Sequence, residues 1–468
     1  MTQVVGVVLA AGQGKRMRSR HPKVLHPLAG KPMIEYVVAA LREAGVEEQV
    51  IVIGHQGESV RQALGEGYRY AYQDPPRGTG DAVLKAEAAL PATADTLLVV
   101  CGDTPLLQAE TLRRLFEQHL AAGAQATLLT AHRDDPAGYG RVIRGADGRV
   151  LAVVEEQDAG TAELAVQEVN TGIYCFAREA LFSALREVGT DNAQGEYYLP
   201  DALAVLVRRG ARVAALEAAA EETMGINSRA DLAAATAVLR RRINAALMTG
   251  GVTLVDPATT YVDATVEVGR DTILHPGTFL QGQTVVGEEC EIGPFTTVRA
   301  SRLGNHVVVQ YAVVVESEVG DGCQIGPFAY LRPGTRLAAR VKVGDFVEIK
   351  KCEIGEGTKV PHLTYLGDAV VGRGVNIGAG TITCNYDGER KWPTFIEDEA
   401  FIGSNTNLVA PVRVGRGAVV GAGSTITKNV PPGSLGVARS RQANIAGWPA
   451  KKGRKRAEKD EKEEGENA

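Results

Sequence analysis

A chain of 468 residues is too long to pack around one hydrophobic core, so two or three domains are expected. Hydrophobic residues at 44% and charged residues at 23% describe a soluble globular protein, and a net charge of −5 argues against a nucleic-acid-binding surface as its main business. The six cysteines are scattered and form no CxxC, which argues against a metal–thiolate site or a disulfide framework and fits a reducing cytoplasm.

The first apolar run, Val4–Ala11, is too short for a signal segment with its cleavage site, and no stretch is long enough to cross a membrane. Over residues 1–228 strand-like runs (Val4–Ala10, Gln49–Ile53, Thr96–Cys101, Ala126–Thr130) alternate with helical ones (Pro32–Ala44, Asp81–Leu90, Ala109–Ala122). That alternation predicts an α/β domain with a mostly parallel sheet. Directly after the first strand comes Leu9-Ala10-Ala11-Gly12-Gln13-Gly14-Lys15-Arg16-Met17, with Pro22-Lys23 close behind. Glycines at the carboxyl end of a strand let backbone N–H groups approach a phosphate, and Arg16 and Lys23 add fixed positive charge. Met17 stands where a dinucleotide fold has its third glycine, and the P-loop spacing is absent. A Gly-x-Gly alone also fits a plain tight turn; the Arg and Pro-Lys that follow make the pattern specific. Asp103 ends the apolar strand at Cys101, the usual ligand position of an open α/β sheet, although alone it would also serve as a turn or cap residue.

Ser228-x-x-Asp231 opens a helix that runs to Gly250-Gly251, with Leu232, Leu239, Ile243 and Leu247 near one stripe; it is read as the arm between two domains. From Val262 an aliphatic residue then recurs every six: Val268, Leu274, Leu280, Val286, Ile292, Val298, and after two short steps Val319, Ile325, Leu331, Leu337, Val343, Ile349. The beat continues through Ile354, Val360, Leu366, Val371 and Ile377, stops, and returns at Ile396, Ile402, Leu408, Val414, Val420 and Ile426. A hexapeptide period predicts a parallel β-helix: one inward residue per six anchors one wall of a triangular prism, and three hexapeptides close a coil. With a strand spacing of about 4.8 Å, the span makes roughly nine coils and a prism about 40 Å long.

A β-helix alone does not establish catalysis, and the informative residues are those that interrupt it. His362-Leu363-Thr364-Tyr365-Leu366-Gly367-Asp368 places a histidine in the wall, and Cys384-Asn385-Tyr386-Asp387-Gly388 opens a loop carrying Lys391 and Trp392. His362 is suited to general-base work near neutral pH, whereas a lone histidine is as readily an idle wall residue. Three histidines for a zinc site would have to be His275, His306 and His362, which lie more than one coil apart. The tail from Lys451 is almost wholly charged and is expected to lack order.

The N-terminal loop resembles the sugar-nucleotidyltransferase signature G-x-G-[Thr]-R…PK, with Lys15 where Thr is commonest. Further matches follow in family order at Gln73, Gly78-Thr79, Gly102-Asp103, Gly138-Tyr139-Gly140-Arg141, Val154-Glu155, Asn170-Thr171-Gly172 and Gly225-Ile226-Asn227. With the hexapeptide region behind them, the chain up to the tail resembles the bacterial family of bifunctional N-acetylglucosamine-1-phosphate uridyltransferase / glucosamine-1-phosphate N-acetyltransferase. The resemblance implies a Rossmann-like nucleotidyltransferase domain (1–228), a linker helix (229–250), a left-handed β-helix N-acetyltransferase domain (251–450) and the tail (451–468).

It also implies residue roles. Leu9, Ala10, Ala11, Gly12, Gln73, Gly78 and Thr79 would hold the uridine nucleotide, Gly140, Glu155 and Asn170 the sugar, and Asp103 and Asn227 Mg²⁺. Arg16 and Lys23 would stabilise charge during uridylyl transfer. In the second domain His362 would be the base. Arg332, Lys350, Tyr365 and Asn376 would bind the sugar phosphate, and Ala379, Asn385, Tyr386, Ser404, Ala422 and Arg439 acetyl-CoA. Arg332 and Lys350 alone would pass for solvated charges, and Ala422 for the small slot of its repeat. The expected partners are UTP, N-acetylglucosamine-1-phosphate, glucosamine-1-phosphate and acetyl-CoA, on a cytoplasmic homotrimer that binds no nucleic acid and inserts in no membrane. The competing readings are another sugar-nucleotide pyrophosphorylase with a regulatory β-helix, and a non-enzymatic scaffold.

Overall fold

The computed structural model describes residues 3–450 with Lys452, Arg456 and Lys459; the remainder of the charged tail lies outside the described residues. Contacts group the chain into two units, Met1–Val285 with Thr297–Ala300, and Val286–Thr296 with Ser301–Ala468.

The first unit is built on strands β1 (Gln3–Ala10), β2 (Gln49–Ile53), β3 (Arg69–Tyr72), β4 (Ala94–Cys101), β5 (Ala126–His132), β6 (Glu168–Ala177) and β7 (Val213–Glu217). Their order is β3-β2-β1-β4-β6-β5-β7, with a hairpin of Arg141–Arg144 and Val150–Val154 attached beside β6. β1 pairs in parallel with both β2 and β4, while β6 runs antiparallel to β4 and β5. The chain thus steps from β1 to β2 and β3 on one side and crosses to β4 on the other. The crevice at the carboxyl ends of β1 and β4 is the topological switch point, where open α/β sheets take their ligands.

Both faces of the sheet are covered, so its central strands read as continuous apolar runs. Val5 and Val7 join a core with Val50, Val52, Leu97 and Val99 under the helices Thr79–Ala86 and Leu199–Arg208. Val8 points the other way, into a core with Ile51, Ile53, Leu98 and Val100 under Met33–Glu43 and Ala109–Ala122. The helix anticipated over Asp81–Leu90 starts earlier, at Thr79, and gives way to a single 3₁₀ turn at Glu87–Ala89.

The helix signalled by Ser228 spans Arg229–Thr249. The Ser228 hydroxyl accepts from the Asp231 amide at 3.2 Å, and the Asp231 carboxylate accepts from the amides of Ser228 and Asn227 at 2.8 and 2.9 Å. Ala235, Val238 and Leu239 are buried in the second of the two cores, so the first half of the helix packs on the α/β sheet, and further on Asn244 donates to the Pro257 and Thr260 carbonyls at 2.9 and 3.1 Å. After it the chain enters its first coils, where Thr253–Leu254 pairs with Ile273–Leu274 and Tyr261–Val262 with Phe279–Gln281.

In the second unit three walls of short parallel strands repeat. One wall runs Glu291–Ile292, Val308–Val309, Gln324–Ile325, Lys342–Asp345, Lys359–His362, Asn376–Ile377, Phe401–Ile402 and Val419–Val420. A second carries Val313–Val315, Tyr330–Leu331, Glu348–Lys350, Tyr365–Gly367, Ile382–Cys384, Asn407–Val409 and Thr425–Ile426. The third runs from Arg302–Leu303 to Val412–Val414. The beat residues from Leu274 onward point inward and are buried.

The two irregular stretches resolve simply. Between Val298 and Val319 the inward residues are Leu303, Val309 and Val314, so the prism accepts five-residue as well as six-residue walls there. Between Ile377 and Ile396 the inward residue is Thr383, fully buried, its hydroxyl accepting from the Gly367 amide at 2.7 Å. A polar residue fits because the neighbouring coil satisfies it. Among the described residues no helix is long and apolar enough to cross a membrane.

Leu303 is an inward, buried residue of the prism and is not itself a candidate site residue. Leu303→Ala is expected to cost about 2–5 kcal/mol through the cavity it leaves. Calorimetry should show this as a lower β-helix melting transition. An unchanged midpoint would mean that the inward residues do not carry the packing.

Candidate active sites

At the switch point the loop after β1 lines a cavity of about 590 Å³. Its walls include Leu9 to Arg16, Lys23, Gln73, Gly78, Thr79, Asp103 and Asn227, which gathers the residues the sequence assigned to the nucleotide. Gly14 stands at φ 59°, and a Cβ there would lie 2.7 Å from the Lys23 Cβ. Glycine at this position therefore gives both the left-handed turn and the room for Lys23 to pass. Met17, in the place of a third glycine, is buried and anchors the loop from below. Arg16 is exposed on the cavity rim.

Across the cavity Gln73 is buried, and its amide donates to the Gly78 carbonyl at 2.9 Å and the Asp81 carboxylate at 2.8 Å. Gly78, at φ 104°, would set a Cβ 2.6 Å from the Tyr197 carbonyl. The Gly80 amide donates to that same carbonyl at 2.7 Å, and the Thr79 hydroxyl accepts from the Leu199 amide at 3.0 Å. This wall is thus stitched to the segment ahead of Leu199–Arg208.

Asp103 and Asn227 lie 124 residues apart in sequence, yet both reach one cation, the Lys23 ammonium: Asp103 through a short ion pair and Asn227 Oδ1 at 3.0 Å. The Ile226 amide donates to the Asp103 carbonyl at 2.9 Å, and the Asp231 cap holds the Asn227 backbone. Two oxygens converging on a positive charge are the donor set a hard divalent cation takes. An adjoining cavity of about 170 Å³ shares Asp103 and Asn227 and adds Gly140, Glu155 and Asn170. Burial raises the Glu155 carboxyl above its ordinary range, helped by Asp201, Asp158 and Glu156. Asn170 accepts from the Tyr174 hydroxyl at 2.8 Å, which fixes its side chain.

In the second unit the candidate residues divide between a wall and a corner. On the wall, Tyr330, Glu348 and Tyr365 are register partners on successive coils. Arg332 reaches Glu348 at 2.7 Å, and Lys350 pairs in register with Gly367. A Cβ on Gly367 would collide with the Tyr365 hydroxyl, so glycine there lets the phenol fold over the wall.

At the corner, the Leu363 carbonyl accepts from Gly380 at 3.0 Å, Ala379 from Asn405 at 2.7 Å, and Ser404 from Gly423 at 2.8 Å. The Arg439 guanidinium then donates to the Ala422 carbonyl at 2.7 Å. His362, Ala379, Ser404, Ala422 and Arg439 therefore form one column over successive coils, although they span 78 residues of sequence. Asn376 sits on the His362 wall, opposite Lys359 and Phe401.

The loop at Asn385–Trp392 is a small hairpin wound on Asp387. That carboxylate accepts from the amides of Glu389 and Arg390 and from the Trp392 indole, which hold its pKa down at about 2. Arg390 stacks on Trp392 at 3.8 Å, and Asn385 bonds to Asp368.

Two residues beside this site had no assigned role. Lys391 lies against Lys350 and holds that ammonium below the ordinary lysine range, so the hairpin brings a second cation to the wall. Glu348 pairs with Arg332. The register between coils reveals Glu348 and the fold of the hairpin reveals Lys391, and a sequence period gives neither.

Each of the two units carries one family match. The MobA-like NTP transferase domain matches residues 6–208, and the bacterial transferase hexapeptide (six repeats) matches residues 393–428. The fold and sites thus define a nucleotidyltransferase domain joined to a hexapeptide transferase of the left-handed β-helix type. Over nearly its full length the chain is 56% identical to the bifunctional protein GlmU of Heliobacterium modesticaldum (442 residues, 94% of this chain and 96% of that protein). It is 52% identical to that of an Exiguobacterium species (94% and 98%) and 50% identical to that of Halalkalibacterium halodurans (97% and 100%). The chain belongs to the family of bifunctional GlmU proteins.

The Lys23 ammonium competes for the oxygens that would take a metal. Lys23→Met is therefore expected to raise the affinity of the nucleotide-free protein for Mn²⁺, used as a spectroscopic probe, by about ten-fold, and Asp103→Asn to lower it. Paramagnetic resonance titration measures both. Equal affinities in wild type and Lys23→Met would mean that this ammonium does not guard the position.

Proposed function

We infer that this chain makes UDP-N-acetylglucosamine, the activated sugar of bacterial cell-wall and lipopolysaccharide precursors, in two transfers. The hexapeptide domain moves the acetyl group of acetyl-CoA to glucosamine-1-phosphate, and the α/β domain then moves the uridylyl group of UTP to the product. The observation that carries the bifunctional reading is the set of cations, Arg332, Lys350 and Lys391, gathered on the wall that follows the half-exposed His362 corner, because the packing of a merely regulatory prism does not call for them.

In the first transfer His362 is the general base. The amine nitrogen bonds to the thioester carbonyl carbon, and the imidazole takes the N–H proton. The adduct then collapses, the C–S bond breaks, and the departing sulfur receives that proton. Arg332 and Lys350, joined by Lys391, hold the phosphate, and Tyr365 and Asn376 orient the sugar. Ala379, Ser404 and Ala422 leave a smooth path for the pantetheine arm, Asn385 and Tyr386 border it, and Arg439 meets a phosphate of CoA.

In the second transfer a phosphate oxygen of the sugar bonds to the α-phosphorus of UTP and pyrophosphate leaves. Leu9 to Gly12, Gln73, Gly78 and Thr79 bind the uridine nucleotide, and Gly140, Glu155 and Asn170 the sugar. Asp103 and Asn227 would hold Mg²⁺, which when bound neutralises charge on the phosphates. Arg16 and Lys23 add to that neutralisation, Lys23 by swinging from the pair of oxygens it bridges toward the phosphates.

The working assembly is read as a cytoplasmic homotrimer with acetyl-transfer sites between neighbouring prisms. Support comes from the exposed ring ladder Phe295, Tyr311, Phe328 and Phe346, with centroids 5.9, 5.8 and 5.4 Å apart, an apolar edge that such packing would cover.

Separate assays of the two half-reactions test the assignment. His362→Ala is expected to lower acetyl transfer by about 10²–10⁴-fold and leave uridylyl transfer intact, with Asp103→Ala doing the reverse. Acetylation that survives His362→Ala would remove the base role. Wild-type protein that consumes UTP but never acetyl-CoA would favour the regulatory prism, and failure to release pyrophosphate from UTP, sugar phosphate and Mg²⁺ would favour the scaffold.

A further inference from the structure

His362 stands in the strand Lys359–His362, and its register partner one coil away is Asp345, the last residue of Lys342–Asp345. The two side chains leave the same face of the wall, and the imidazole Nδ1 meets Asp345 Oδ1 in a short hydrogen bond. Three backbone features hold this pair in place. The Leu363 amide donates to the Asp345 carbonyl at 2.9 Å, which locks the coils on the far side of the histidine. The Thr364 hydroxyl donates to the His362 carbonyl at 2.7 Å. On the near side Gly344 packs so closely that an added Cβ would lie 1.9 Å from the Pro361 carbonyl oxygen. The coils therefore cannot slide or separate at this step.

An ionised carboxylate can only accept hydrogen bonds, so the nitrogen facing it must carry the proton. The contact with His362 holds the Asp345 carboxyl below its ordinary range, keeping it in that accepting form. The ring is half exposed, which leaves its other nitrogen open to an incoming amine. Resting on the reading of His362 as the base, we propose that Asp345 is its positioning residue: the carboxylate accepts the Nδ1 proton, fixes the tautomer and aims the Nε2 lone pair at the amine. As Nε2 takes the amine proton and the ring becomes cationic, the same carboxylate faces the new charge. Asp345 itself gains no proton and touches no substrate.

The experiment uses the full-length protein. Asp345→Ala and Asp345→Asn are compared with wild type and His362→Ala for kcat and KM of acetyl transfer, for uridylyl transfer, and by two-dimensional ¹H–¹⁵N spectra of histidine-labelled protein. The His362 signals are assigned as those lost in His362→Ala. Asp345→Ala is expected to lower kcat by about ten- to a hundred-fold with little change in KM, and to shift His362 from the Nδ1-protonated tautomer to a mixture. Asp345→Asn, whose side-chain carbonyl still accepts from Nδ1, should keep the tautomer and recover part of kcat. Uridylyl transfer should be unchanged in both. If His362→Ala abolishes acetylation while Asp345→Ala leaves kcat and tautomer as in wild type, the positioning role is overturned and the base role stands. If kcat falls with the tautomer unmoved, Asp345 acts on packing alone and the proposal is again overturned. If His362→Ala still acetylates, the base role and this proposal fail together.

Discussion

In the prism walls each backbone amide finds its carbonyl one coil away. That single requirement sets the spacing between coils, and it also decides which residues become neighbours. Side chains about 17 positions apart are placed side by side, as Asp345 and His362 are, whatever their intrinsic preferences. The inward aliphatic residues fill the prism, but the hydrogen-bond ladder determines which outward residues meet. The α/β domain meets the same requirement differently. Its parallel ladders align the ends of β1 and β4, and the loops leaving those ends have no choice but to share one crevice.

Both sites rest on rigid frames with small adaptations at the points of chemistry. Gly14 clears a path for Lys23, Gly78 lets its loop meet Tyr197, and Gly367 makes room for a phenol. In each case the missing Cβ permits a close approach that the surrounding framework requires. The paired cations Lys350 and Lys391 are the opposite kind of adaptation. Two ammonium groups held together disfavour their own charged state, and an anion between them would relieve that repulsion.

Much of the fold was legible in the sequence because two periods announce themselves. Alternating buried strands and amphipathic helices gave the α/β sheet, and the six-residue beat gave the prism. What escaped the reading has physical causes. Thr383 is inward but polar, so a search for aliphatic residues saw a gap where there is a coil. Leu303, Val309 and Val314 follow a mixture of five- and six-residue steps that a strict period skips. In the sites, motif residues such as Asp103 and Asn227 could be named from local pattern, and the structure brings both to the Lys23 ammonium. Asp345, Glu348 and Lys391 carry no pattern of their own. They matter through a partner one coil or one hairpin away, and that adjacency exists only once the register is known.

The corner column has a consequence for how such a chain can vary. Along a prism, sequence length is converted into angle: coils already differ by a residue or two without losing register, but a longer insertion inside a coil turns everything after it partway around the perimeter. An insertion between Leu363 and Ala379 too long for a corner to absorb would carry Ala379, Ser404, Ala422 and Arg439 away from the His362 corner together, with the inward residues following. The hairpin at Asn385–Trp392 leaves the prism and comes back to it, so its length can drift without turning the coils beyond it. The coils act as a gear train, and length changes too large for a corner to absorb fit only in the excursions between teeth.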